Sequence, residues 1–365
     1  MAEATRAKLG ARAGIAVKGI HLVNSNAFEA GLRSVERYGM PKKWKVFATR
    51  PLPSSVIKTL AERCEVQFYR EDTLMPPDQL AQVCREQEIE GLMVAGPRVT
   101  AELLEAAPHL RAAAQMGVGY DNIDVAACTA RGVIVTNAAG CLEETTADLA
   151  FALLLAAARR VVEADRFVRE GRWTQWQWEL LWGADVHHKT LGLYGFGNIG
   201  QAVARRAAGF SMRIVYHARR RVPESRELGA QYVDRETLIR ESDFLSLHVP
   251  LTAETGGMIS AREFGWMKPT AFLINTARGR VVDEAALVKA LEQGRLAGAG
   301  LDVFEQEPKV HPELIKLPNV VLMPHVGSGT AETRTRMAAT AAENLLAALG
   351  GKRPPNLINT ALFTA

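Results

Sequence analysis

An α/β protein of two doubly wound parallel-sheet domains is what this sequence predicts. Short apolar runs alternate with amphipathic stretches from Trp44 onward, the alternation restarts at Lys189 after a long helical stretch, and the second series opens on a glycine-rich turn. Runs of about 4–8 apolar residues separated by helices indicate parallel strands covered on both faces. The chain has 365 residues, which suits two domains of roughly 100–200 residues each.

Taken in order, residues 1–43 read as an N-terminal extension, with disorder expected only at the termini. The stretch is basic and lacks the apolar segment of a secretory signal. A transit peptide and an over-long start upstream of Met40 both stay open. WKVFAT, EVQFY, GLMVAG, LRAAAQMGVG and GVIVTN then read as strands, with PSSVIKTLAERC, PPDQLAQVCREQE and TAELLEAA as helices between them. One long helix is expected from about Glu144 to Glu170, capped by Thr145 or Thr146. Its apolar run, LAFALLLAAA, is far shorter than the roughly 20 residues of a membrane span, so it is a buried helix. Trp173, Trp176, Trp178 and Trp182 follow without clean period, as a lid or interface segment would. LGLYG, MRIVYH, FLSLHV, AFLINT, GAGLDV and VVLMPH form the second strand series. The last helix, TAETRTRMAATAAENLLAAL, stops at Gly350 and Gly351 and is long enough to return to the first domain. The boundaries expected are 44–141 plus 330–359 for one domain and 142–329 for the other.

Composition narrows the function classes. A charged fraction of 23% with 48% hydrophobic residues is that of an ordinary globular enzyme. The net charge of +4 is mild and clustered only at 219–221, which argues against nucleic acid as a partner. Cys64, Cys84, Cys128 and Cys141 show no CxxC pair and no zinc spacing, so no metal is expected. They read as thiols of a reducing compartment, the cytoplasm, and no membrane partner is indicated.

Gly195, Gly197 and Gly200 satisfy Gly-x-Gly-x-x-Gly between an apolar strand and a helix, the context that makes this pattern a Rossmann dinucleotide fingerprint. Gly195 would allow the tight turn, Gly197 the approach of backbone to pyrophosphate, and Gly200 close helix–strand packing. Asn198 and Ile199 complete the turn, and the phosphates would sit at the helix N-terminus. About 20 residues on, such sites usually carry an Asp or Glu for the ribose 2′-hydroxyl. Here His217-Ala218-Arg219-Arg220-Arg221 stands instead. A carboxylate would repel a 2′-phosphate, whereas arginines bind one, which favours NADP(H) over NAD(H). A solvated basic turn is the plainer alternative.

Three later segments bear Arg278, Glu307 and His325, each after a strand, so they could meet at the carboxyl edge of the nucleotide sheet. Singly, each has an ordinary explanation as an ion pair, a loop carboxylate or a structural imidazole. Together, an Asn-x-x-Arg-Gly segment, an Asp-Val-x-x-x-Glu-Pro segment and a Pro-His pair, in that order after the glycine turn, resemble the D-isomer-specific 2-hydroxyacid dehydrogenases. The resemblance runs from about Trp44 to Asn359. It implies a flavodoxin-like substrate domain beside the Rossmann domain, with the cleft between them. It also implies that Arg278 forks onto the substrate's carboxylate and keto oxygen. His325 is then the proton donor to the carbonyl, and Glu307 holds the imidazole and favours its protonated form. By the same resemblance Val118 and Gly119 present N–H groups to the substrate carboxylate, Thr276 and Asp302 contact the nicotinamide end, and Thr146 and Pro250 line the cofactor cleft. A homodimer through the dinucleotide-binding domain is implied as well, with Trp176 reaching the neighbouring subunit's substrate pocket.

Within that family the arginine turn and RWTQW are closest to the glyoxylate/hydroxypyruvate reductases, which implies NADPH-dependent reduction of a short 2-oxo acid to the D-2-hydroxy acid. Val94-Ala95-Gly96-Pro97 stands where the D-3-phosphoglycerate dehydrogenases show Arg-Ser, which argues against a phosphorylated substrate. Glyoxylate, hydroxypyruvate and 2-ketogluconate stay open. A dinucleotide-sensing scaffold of the corepressor type is the alternative from another class.

Overall fold

A computed structural model describes residues 20–22, 43–224 and 227–363. Most of the expected N-terminal extension, with Met40, lies outside the described residues. The chain divides into two compact units, Met1–Ala139 with Thr335–Ala365, and Gly140–Arg334. No helix among the described residues is long and apolar enough to cross a membrane.

The first unit is built on one six-stranded sheet of order β1-β3-β2-β4-β5-β6. Its strands are β1 (Ile20–Leu22), β2 (Trp44–Ala48), β3 (Cys64–Tyr69), β4 (Gly91–Val94), β5 (Ala112–Gln115) and β6 (Ile134–Thr136). Only β1 runs antiparallel, along the edge of β3; the other five pair in parallel. Those five, numbered from β2, follow the order 2-1-3-4-5, which is the flavodoxin-like arrangement. β4 and β5 are buried at every position, as central parallel strands must be. The helices α1 (Ser54–Ala61), α2 (Pro77–Glu86), α3 (Ala101–Ala106) and α4 (Val125–Ala130) connect them. Thr100 caps α3 and Asp124 caps α4 through side-chain oxygens.

The second unit carries a seven-stranded sheet of order β13-β12-β11-β10-β7-β8-β9. The strands are β7 (Thr190–Tyr194), β8 (Arg213–His217), β9 (Gln231–Tyr232), β10 (Phe244–Leu247), β11 (Phe272–Asn275), β12 (Gly298–Leu301) and β13 (Val320–Leu322), all parallel. Chain order reverses at β7, with β8 on one side and β10 on the other; such a switch point is where doubly wound sheets take their ligands. The layers over the sheet include α5 (Glu143–Ala158), α6 (Val161–Arg169), α7 (Asn198–Ala208), α8 (Arg235–Glu241), α9 (Ala261–Phe264), α10 (Glu284–Glu292) and α11 (Pro312–Lys316). α12 (Ala331–Leu349) is the last long helix. Its Ala338, Ala341, Ala342, Leu345 and Leu349 join Val46, Ala48 and Met93 in the core of the first unit.

Two expectations are corrected. The single helix from 144 to 170 is two helices, because Arg160 turns left-handed at φ 52°. The apolar run that needs a core ends at Ala158, and α6 buries none of its residues. Neither Thr145 nor Thr146 is the cap. Leu142 precedes the helix, and the Glu143 carboxylate accepts the N–H groups of Gly140 and Leu142.

Candidate active site

At the switch point, Gly195 has φ 96°, and a side chain there would begin 2.5 Å from the His248 carbonyl oxygen. Only glycine satisfies both the sign of φ and the space. A side chain at Gly200 would begin 2.3 Å from the Gly195 carbonyl oxygen, so the first turn of α7 lies directly on the strand end. Around Gly197 the reverse holds: nothing lies within 4 Å of the place a side chain would take. Gly197, Asn198 and Ile199 thus form an open, partly exposed N-terminus of α7, where free N–H groups and the helix dipole favour an anion.

The arginine turn after β8 is not uniform. Arg221 is clamped by Glu227, with Nε at 2.7 Å from Oε1 and Nη2 at 3.0 Å from Oε2. The buried Tyr216 hydroxyl donates to the same carboxylate at 2.8 Å. Glu227 is held below the ordinary carboxylate range by Arg221 and then by Tyr216. Arg219 and Arg220 are exposed, and neither takes part in an ion pair among the described residues. Sequence reading found the three arginines but missed Glu227, whose signal is only a carboxylate six residues downstream.

Arg278, Glu307 and His325 follow β11, β12 and β13, which are neighbours in the sheet, so one edge gathers all three. Asn275 shapes the first turn: its Nδ2 donates to the Arg278 carbonyl at 2.9 Å, and its Oδ1 accepts the Ala277 N–H at 3.0 Å. Glu307 Oε1 accepts the Phe304 N–H at 3.0 Å, and Oε2 lies 2.7 Å from His325 Nδ1. Burial pushes the Glu307 carboxyl up, but the hydrogen bond and charge of His325, the Phe304 N–H and the charge of Arg278 outweigh it, leaving it below its usual range. Glu307 is therefore an anion facing the imidazole, and Nε2 is the ring nitrogen left to exchange a proton.

His325 itself sits at φ 56°, a left-handed conformation that a non-glycine residue holds only where the surroundings impose it. Asp302 imposes it. Its carbonyl accepts the His325 N–H at 2.8 Å, and its two carboxylate oxygens accept those of Val326 at 2.8 Å and Gly327 at 2.7 Å. This buried carboxyl, raised by burial, has both oxygens engaged in holding the proton-donor turn, a role that sequence reading did not foresee beside its expected nicotinamide contact.

Of the remaining expected residues, Thr146 is buried near Gly327, and Pro250 is exposed beyond β10. Thr276 Oγ1 is buried with no hydrogen-bond partner among the described residues, an orphaned hydroxyl next to the Arg278 turn. Trp176 stands 73% exposed, edge to face with Trp178 at 5.9 Å. Val118 and Gly119 belong to the first unit, after β5. Ala138 N–H donates to the Gly117 carbonyl, Asn137 Nδ2 to that of Val118 and Gln115 Nε2 to that of Gly119. In the first two of these trans peptides the next N–H, at Val118 and at Gly119, is directed away from the pinned carbonyl.

The open cradle at Gly197, the two exposed arginines and the orphaned Thr276 hydroxyl fit a nicotinamide dinucleotide. Comparison with known proteins bears on the same point. Residues 151–327 match the model of the D-isomer specific 2-hydroxyacid dehydrogenase NAD binding domain. A glyoxylate reductase of Thermococcus litoralis is 52% identical over 328 residues, 88% of this chain and 99% of that protein. One from Korarchaeum cryptofilum is 53% identical over 323 residues, 87% of this chain and 96% of its own length. Among solved structures, the NADPH-dependent glyoxylate/hydroxypyruvate reductase of Sinorhizobium meliloti in complex with NADP and malonate aligns with TM-score 0.80 and 34% identity, over 89% of this chain and 99% of that one.

Proposed function

Since the chain belongs to the D-isomer specific 2-hydroxyacid dehydrogenases and is an NAD(P)-dependent oxidoreductase, we propose that it reduces glyoxylate, with NADPH as the preferred reductant. The observation that carries the chemistry is the short Glu307–His325 contact beside Arg278 on one sheet edge. Arg278 orients the substrate through its carboxylate and keto oxygen. His325 gives its Nε2 proton to the carbonyl oxygen, and the Glu307 carboxylate stabilises the imidazolium that must be present beforehand. The nicotinamide, when bound, supplies the hydride. Thr276 and Asp302 are assigned to its nicotinamide end, Thr146 and Pro250 to the lining of its site, and the N–H groups of Val118 and Gly119 to substrate carboxylate. The names of the relatives support glyoxylate, and the exposed Arg219 and Arg220 support the phosphorylated cofactor.

A homodimer is part of this reading. Val161, Val162, Val168 and the four tryptophans from Trp173 to Trp182 are exposed on the nucleotide-binding unit, and exposed apolar side chains of this kind suit a protein–protein contact. The buried thiols of Cys64, Cys84 and Cys128 fit the cytoplasm as the compartment.

The test is initial-rate absorbance with glyoxylate, hydroxypyruvate and 2-ketogluconate, each with NADPH and with NADH. Preference for glyoxylate and NADPH is expected, and His325→Ala should lower kcat by about 10²–10⁴-fold with cofactor binding little changed. Preference for NADH would discard the reading of the arginines. Tight cofactor binding without turnover of any 2-oxo acid would bring the scaffold reading forward.

A further inference from the structure

Glu307 is delivered to His325 by the short turn from Phe304 to Glu307, and the construction of that turn involves a second carboxylate. Glu284, the first residue of α10, is only 6% exposed. Its Oε1 accepts the Glu305 N–H at 2.6 Å. The turn's two successive N–H groups are therefore held by two carboxylates, that of Phe304 by Glu307 and that of Glu305 by Glu284. From below, Gly279 presses on the same peptide, since a side chain there would begin 1.8 Å from the Phe304 carbonyl carbon and 2.4 Å from the Glu305 nitrogen. Gly279 directly follows Arg278, so the Glu307 turn is held by the backbone of the Arg278 turn on one side and by the Glu284 side chain at the N-terminus of α10. Burying a carboxyl there is costly unless it is hydrogen-bonded, and the Glu305 N–H supplies that bond. Burial pushes the Glu284 carboxyl up, the charges of Glu305 and Glu307 add to this, and the Glu305 N–H and His311 oppose it.

We propose that Glu284 is a positioning residue for proton transfer: it fixes the 304–307 turn so that the Glu307 carboxylate meets His325 Nδ1. The inference rests on the reductase reading above. Without the Glu284 acceptor the Glu305 N–H has no buried partner, the turn relaxes off Gly279, and the second oxygen of Glu307 loses its aim at the imidazole. Because an amide oxygen accepts the same N–H, Glu284→Gln should preserve the turn, whereas Glu284→Ala should not.

The experiment is steady-state reduction of glyoxylate at saturating NADPH by wild type, E284A and E284Q, in H2O and in D2O, with NADPH affinity followed by nucleotide fluorescence. E284A is expected to lose about 10–10²-fold in kcat, the scale of a misplaced catalytic group. Its solvent isotope effect should rise, because proton transfer then limits the rate, while NADPH affinity moves less than about threefold on that same scale. E284Q should regain wild-type kcat and isotope effect. Should E284A fail to fold, Glu284→Asp, which withdraws the acceptor but keeps the charge, carries the same expectations. Wild-type kcat in E284A or Glu284→Asp would overturn the proposal. So would a loss of kcat with an unchanged isotope effect, or an E284Q enzyme as impaired as E284A. If wild type turns over no 2-oxo acid, the reductase reading itself fails, and the inference falls with it.

Discussion

At the arginine turn three like residues have unlike work. Arg221 is spent on Glu227, and through it on Tyr216, which stacks on Phe196 at the glycine turn with ring centroids 4.1 Å apart. Arg219 and Arg220 face solvent. Replacing both by alanine should therefore raise KM for NADPH at least about tenfold relative to KM for NADH, since each charge-assisted bond to phosphate contributes about 1.5–3 kcal/mol. Arg221→Ala should raise both constants together, because it loosens the turn without removing a phosphate ligand. Steady-state kinetics with the two nucleotides separates these outcomes, and equal effects from all three positions would reduce the run to a solvated turn. The sequence displayed the run but not this division, which depends on a pairing with Glu227 across a six-residue turn that has no recognisable local pattern. Arg278, Glu307 and His325 could be picked out because each follows a strand within a motif of several residues. Glu284 was not, since a glutamate at the start of a helix ordinarily reads as dipole compensation.

Among elements, strands of the parallel sheets were the most legible, because burial on both faces writes them as uninterrupted apolar runs. β9, with two residues, is too short for such a signal, and the break between α5 and α6 carries no Pro or Gly to announce it. The segment after β10 shows what an element end can conceal. His248 keeps part of its surface, yet burial of its imidazole pushes it down to about 4, and Nε2 lies 2.9 Å from Ser246 Oγ. An unfolded histidine titrates near 6.5, so between about 6.5 and about 4 the unfolded chain binds the extra proton and the folded chain does not. The stability contributed by the neutral ring is whole above about pH 6.5, declines as pH falls to about 4, and declines no further below that. His248→Gln should flatten this part of the profile, which Tm measured from pH 4 to pH 7 would reveal. A parallel decline in both proteins would assign the slope to other groups.

On the scale of the whole molecule, the alternation of runs predicts two parallel sheets, whereas the strand orders, and with them the switch points, are set by tertiary pairing that only the structure shows. Association does not, because exposed apolar residues enter a sequence pattern only as hydrophobic residues. Val161→Asp with Val168→Asp, two charges placed on the exposed face of α6, should convert a dimer to a monomer in light scattering while leaving far-ultraviolet circular dichroism unchanged. A wild-type monomer would remove the proposed interface.

The second unit is contiguous, from Gly140 to Arg334, whereas the first is closed by Thr335–Ala365. On the ribosome, then, the strands made first are completed last. Val46, Ala48 and Met93 wait for Leu345 and Leu349 at the far end of the chain, while the inserted unit can collapse as soon as it emerges. The nascent N-terminal half spends most of translation with an uncovered apolar face, exposed to aggregation. The core of the first unit is thus completed only after α12 has been made.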